Sequence, residues 1–189
     1  GLRPEVVDRA RAAMSRGVML YSVPPERLRQ ALGSRASALK AGLKLGSDPQ
    51  SQATARFIDE GSVPDCDSGV RIHAFERLCE YLGRSLPNSS VSPVKLDFLE
   101  KVDQELERVS FCLSLSKLIY GGGPLSLPPA DDFPTVGHAD ARLVELADEQ
   151  RRAGLLKSGD EEIASVFAEL SDWVEVAAAR KDMLVGFCY

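Results

Sequence analysis

The chain has 189 residues, of which 44% are apolar and 27% charged, and its 23 Lys and Arg against 28 Asp and Glu leave a net charge of −5. That length is enough for one domain with a substantial core, and no apolar run approaches the ~20 residues of a membrane helix, so no membrane-spanning helix is expected. The acidic balance, with no concentrated basic stripe carrying interleaved aromatics, excludes nucleic acid as a natural ligand, and the basic start over residues 3–16 lacks the apolar stretch of a signal peptide, so a cytoplasmic location is expected.

Residues 1–13 read as an extension, in which Pro4 opens a short Arg- and Ala-rich helix outside a single domain over residues 14–189. Val18, Leu20, Tyr21 and Val23 belong to a run of good β-formers that predicts a strand over 18–23. Pro24 and Pro25 end it, and Pro25 suits the first position of a helix. Leu28, Leu32, Leu39 and Leu43 then recur at helical spacing, broken at Gly33 and Ser34, where Ser34 is placed to cap a second helix. Asp48 and Pro49 open a further helix to Glu60. After a polar loop, Ile72, Phe75, Leu78, Cys79 and Leu82 define the apolar stripe of a helix that ends at Gly83, read as a left-handed cap. His73, Glu76, Arg77 and Glu80 fall on its solvated face.

Residues 84–92 read as loop, and Pro93 restarts a helix with Leu99, Val102 and Leu106 inward and Lys95, Glu100, Lys101, Asp103, Glu105 and Glu107 outward. Residues 111–120 suit a strand, from the alternation of Leu113, Leu115 and Lys117 with serines, or a short helix on Leu115, Leu118 and Ile119. The stretch 121–137, with prolines at 124, 128, 129 and 134, is the longest irregular segment, and loops of that length are usually functional or wrapped as a fixed covering. A helix is expected from His138 to Leu156. Another follows the stripe Ile163, Val166, Phe167, Leu170, Trp173, Val174 and Ala177, and a strand closes the chain over 183–189. So apolar a terminal segment calls for docking in a sheet. Pairing it with 18–23 gives a mostly helical α+β domain whose small sheet joins the first and last strands in one core.

Few residue patterns carry chemistry. The four cysteines, Cys66, Cys79, Cys112 and Cys188, show no metal-ligand or disulfide spacing; Cys79, Cys112 and Cys188 read as buried inert thiols and Cys66 as exposed beside Asp65 and Asp67. Gly121, Gly122 and Gly123 lack the Gly-Lys-Ser/Thr context of a phosphate loop. Asp131, Asp132, His138 and Asp140 place three carboxylates and an imidazole within ten residues, but without the spacing that puts metal ligands on one side. Asp131, Asp132 and His138 are the catalytic candidates. Tyr21, Asn88 and Tyr120 join them as binding candidates, with Asn88 also suited to turn chemistry. No metal site and no cofactor motif is indicated.

Several segments carry a family resemblance: Leu82-Gly83-Arg84-Ser85-Leu86-Pro87-Asn88-Ser89-Ser90-Val91-Ser92-Pro93, Leu113 to Tyr120, Asp131-Asp132-Phe133-Pro134-Thr135-Val136-Gly137-His138, and Trp173 to Tyr189. Together they resemble an uncharacterised bacterial family, of the actinobacterial type, known only as a domain of unknown function. The layout is more distantly similar to the YfbM-like family, which also opens on a strand and closes on a helix and an apolar strand. Neither resemblance implies an activity.

Residues 1–60 carry ten Lys and Arg against six Asp and Glu, and residues 61–189 thirteen against twenty-two, about +4 and −9. An acidic face for a basic protein partner is one consequence of such a split. The expected function is therefore a non-enzymatic protein-binding module of the immunity or toxin-neutralising type. The alternative is a small-molecule, hydrolase-like enzyme with a cleft under the 121–137 loop, and a homo-oligomer built on exposed strand edges is a third outcome.

Overall fold

The computed structural model describes residues 17–63, 65–124 and 134–189. Its centre is a four-stranded antiparallel sheet of β1 (Val18–Val23), β2 (Arg84–Leu86), β3 (Thr135–Ala139) and β4 (Met183–Cys188), in the order β2-β1-β4-β3. The first and last strands do pair, with Leu20 opposite Gly186 and Tyr21 opposite Val185. All six residues of β4 are buried. A strand without polar alternation is covered on both faces, and the sheet accordingly divides the interior into two apolar layers.

Alternate residues of each strand feed alternate layers. Val18, Leu20, Leu86, Ala139, Leu184 and Cys188 point to one side, against α5 (Leu96–Arg108), α6 (Leu115–Tyr120), α7 (Ala141–Arg152) and α8 (Glu161–Arg180). Tyr21, Val23, Val136, Met183, Val185 and Phe187 point to the other, against α1 (Pro25–Ala31), α2 (Ser37–Gly42), α3 (Pro49–Glu60) and α4 (Ser68–Leu82). The chain builds its first helical layer, crosses, and builds the second.

Helix starts follow local chemistry. Pro25 occupies the first turn of α1, and Asp48 caps α3 by accepting from the Ser51 N–H at 2.8 Å, with Pro49 behind it and Gly61 left-handed at φ +80° beyond its end. Asp160 caps the twenty-residue α8 by accepting from the Glu162 and Ile163 N–H groups, and acidic residues fill its first turn, where the helix dipole favours them. Ser34 does not cap α2, which starts only at Ser37; its hydroxyl instead donates to the Ala31 carbonyl and so closes α1. α5 starts at Leu96 rather than at Pro93.

Elsewhere the tertiary structure overrides the sequence reading. Gly83 is extended, at φ −112°, and its glycine is required by closeness: a Cβ there would stand 2.4 Å from the Ser22 carbonyl oxygen. Within the loop read over 84–92, Arg84–Leu86 forms β2 because it runs alongside β1, while 87–92 is irregular. His138 lies in β3, and the helix expected there begins at Ala141, with Asp140 as its cap. Leu115–Tyr120 is helical, the second of the two options. Asp103 turns inward from α5 and caps α6, accepting from the Leu115 N–H at 2.6 Å, the Ser116 N–H at 3.1 Å and the Ser114 hydroxyl at 3.0 Å. α6 lies flat on a glycine pair, Gly137 opposite Gly186. The N-terminal extension over 1–13 lies outside the described residues.

Candidate functional site

Among the described residues, a tyrosine, histidine and glutamate cluster gathers where α4 crosses the sheet. Tyr21 projects from the middle of β1, and its hydroxyl donates to Glu76 Oε1 at 3.0 Å. Tyr189, just past β4, gives its hydroxyl to Glu76 Oε2. His73, one turn before Glu76, stacks on the Tyr189 ring at 5.0 Å with an interplanar angle of 16°. Its Nδ1 stands 3.8 Å from Glu76 Oε2. The floor is aromatic, with Phe187 touching both Tyr21 and Phe75.

Burial governs the titration of this cluster. Loss of water raises the Glu76 carboxyl above its ordinary value, and the charge of Glu80 adds to the rise, while the Tyr21 hydroxyl opposes it. Tyr21 is raised as well, by burial first and then by the Glu76 carboxylate, so its phenol keeps its proton. Both carboxylate oxygens of Glu76 are engaged by hydroxyls from the sheet. Three structures meet there: α4, the first strand and the end of the last one.

Glu76 and His73 were expected on a solvated face, and the structure corrects both: each is half-buried against tyrosine. Glu76 borders the Ile72, Phe75, Cys79 stripe, and that border position is the one signal in the sequence; the tyrosines over it come from distant parts of the chain. Arg77 also turns inward, donating to the Ser51 hydroxyl and the Leu43 carbonyl at 2.9 Å each.

The other candidates are dispersed. Asn88 donates through Nδ2 to the Val18 carbonyl at 2.5 Å, in a loop also held by the Trp173 indole on the Pro87 carbonyl and by Glu169 on Ser89 and Ser90. The Tyr120 hydroxyl lies 3.5 Å from Cys188 Sγ, in the layer opposite Tyr21. His138 shares the register row of Tyr21 and Val185, and its Nδ1 is 2.7 Å from the Gly122 carbonyl. Asp131 and Asp132 lie outside the described residues. Cys79 and Cys188 are buried, whereas Cys112 and Cys66 are each partly covered. Cys112 sits between the Gln150 amide and the Leu143 carbonyl, and Cys66 is folded back toward Val63 by the turn into α4. Burial raises the thiols of Cys66, Cys79 and Cys112, so none is an activated nucleophile. Among the described residues no group of three His, Cys, Asp or Glu side chains has metal-site geometry.

The outer surface of α7 offers a different kind of site. Asp140, Arg142, Leu143, Glu145, Leu146 and Glu149 line an open concavity of about 530 Å³. Leu146 is 44% exposed, and Glu145 and Glu149 lie one turn apart beside it, with no ion pair to a described cation. Like charges at that spacing disfavour a helix in isolation, so this face is built at some cost. No described helix is long and apolar enough to cross a membrane. A family model matches residues 14–189, while no curated protein and no solved structure matches the chain.

Proposed function

The chain belongs to the family of that model, Domain of unknown function (DUF7691), a description that carries no activity, and from its own surface we propose a non-enzymatic protein-binding module that takes a basic partner on the outer face of α7. One observation carries this reading: Leu146 stands exposed in a concavity walled by Asp140, Glu145 and Glu149, with Arg142 the single cation on that lining. An apolar anchor within an acidic rim suits a cationic surface with one apolar side chain to insert. The rim supplies encounter rate and selectivity, the leucine the contact area.

The cluster on α4 supports the same reading from another side. Its carboxylate is engaged by two tyrosines of the sheet, which is the arrangement of a structural pin. Neutralisation of a basic effector protein by an acidic binder in the cytoplasm fits this chemistry, and we extend the proposal to that class.

The test uses a fluorescent Lys- and Arg-rich amphipathic peptide, with an acidic peptide of equal length as control. The basic peptide is expected to bind the full chain at low salt and to be released as salt rises. Leu146→Asp and the pair Glu145→Lys, Glu149→Lys should each abolish binding without changing the melting temperature by more than a few degrees. Binding that is indifferent to salt and to all three substitutions would remove the proposal.

A small-molecule enzyme is the second reading, and the raised carboxyl of Glu76 beside His73, Tyr21 and Tyr189 is what favours it. It predicts turnover of activated ester or phosphate substrates by the wild type that Glu76→Gln removes.

A further inference from the structure

The sheet has two outer strands, and they are finished differently. On β3 the Val136 carbonyl accepts from the Gly122 N–H, and His138 bonds the Gly122 carbonyl, so a glycine turn covers part of that edge. β2 has no such cover among the described residues.

Strand parity identifies what β2 exposes. Val18 directs its N–H to the Ser92 hydroxyl and its carbonyl to Asn88, away from β4, while the Gly17 carbonyl accepts from Tyr189 on the β4 side. Backbone groups alternate along a strand, so Leu20 and Ser22 face β2 and bond their opposite numbers, Leu86 and Arg84. The Ser85 N–H and carbonyl therefore point outward, and no described group meets them. On either side the edge is closed: the Gly83 N–H is given to the Cys79 carbonyl, and the Pro87 carbonyl accepts the Trp173 indole. One residue is left to pair.

Beside that edge runs a groove of about 430 Å³, lined by Arg84, Leu86, Pro87, Asp172, Glu175 and Val176. Arg84 and Asp172 are both exposed, and neither has an ion-pair partner among the described residues, although they border the same groove. Glu175 is held by Arg151 at 3.1 Å but keeps 61% of its side chain in solvent.

We propose that the outer edge of β2 is a two-fold self-association surface, on which Ser85 of one copy pairs antiparallel with Ser85 of a second and each Arg84 enters the acidic groove of the other. Antiparallel pairing centred on Ser85 sets Arg84 opposite Leu86 of the second copy, on the side of the sheet where that copy presents Asp172. Each copy thus supplies a cation to the other's Asp172, which has no ion-pair partner of its own among the described residues, and the exchange is reciprocal, as an isologous interface requires. A strand of three residues gives a single reciprocal pair of backbone bonds, so the charges decide whether the pairing holds. The surface is separate from α7, and its fate is independent of the partner proposed there.

Sedimentation velocity over a concentration series of the full chain tests this. A reversible monomer–dimer equilibrium is expected, weakened about tenfold or more by Arg84→Asp and restored when Asp172→Arg is added to it. Ser85→Pro removes the outward N–H without touching the ladder to β1, and should leave the circular dichroism unchanged while abolishing dimer. If that variant unfolds, the charge exchange decides alone. A monomer at every concentration overturns the proposal, as does a dimer indifferent to Arg84→Asp, or a double variant no better than the single one.

Discussion

Glu76 binds its proton more tightly in the folded chain than in the unfolded one, because burial disfavours the carboxylate more than the Tyr21 hydroxyl favours it. Between the ordinary carboxylate value and the raised one, the native state therefore holds more protons than the unfolded state, and stability falls as pH rises through that window. Urea denaturation from acid to neutral pH is expected to show this fall in the wild type and to show it flattened in Glu76→Gln, which cannot ionise. Tyr21→Phe leaves Glu76 Oε1 without its donor and should cost about 1–2 kcal/mol by the same assay. Tyr21 was visible in the sequence as a binding candidate. Its partner was not, since face assignment from periodicity places Glu76 one step off the apolar stripe and says nothing of two tyrosines brought over it by the sheet.

α6 owes its position to what the strands beneath it lack. A Cβ on Gly137 would stand 2.3 Å from the Lys117 carbonyl oxygen, and one on Gly186 2.5 Å from that of Leu118. Backbone cannot yield as a side-chain tip does, so Gly137→Ala and Gly186→Ala should each cost about 2–3 kcal/mol, seen as a fall in melting temperature. At the other end of α6, Asp103→Ala removes a carboxylate that gathers the Leu115 and Ser116 N–H groups, with an expected loss of about 1–2 kcal/mol. Long helices were legible: α3 follows the Asp48 cap, and α4 and α8 follow the Phe75 stripe and the Trp173 stripe. The short edge strands were not. β2 and β3 span three and five residues, too few for a period to register, and each is a strand only because a neighbour supplies its hydrogen bonds.

The two helical layers share a single sheet, and β4 is one of its two inner strands, with both neighbours antiparallel and both faces covered. Phe187→Ala should therefore cost about 3–5 kcal/mol, a large part of a typical folding free energy, and circular dichroism should show much of the chain unfolded. The amino-acid sequence determined by itself the α+β class, the long helices on their apolar stripes, the Asp48 and Pro49 start of α3, and the pairing of the first strand with the last, because apolar run length, capping chemistry and an apolar closing segment are local properties of the chain. Only the tertiary structure decided that the sheet would be covered on both sides, that Asp103 and Glu76 would turn inward, and that Gly83, Gly137 and Gly186 would be needed for close approach rather than for turns. Those outcomes depend on which groups distant parts of the chain bring within hydrogen-bond or van der Waals range, and no spacing within one segment encodes that.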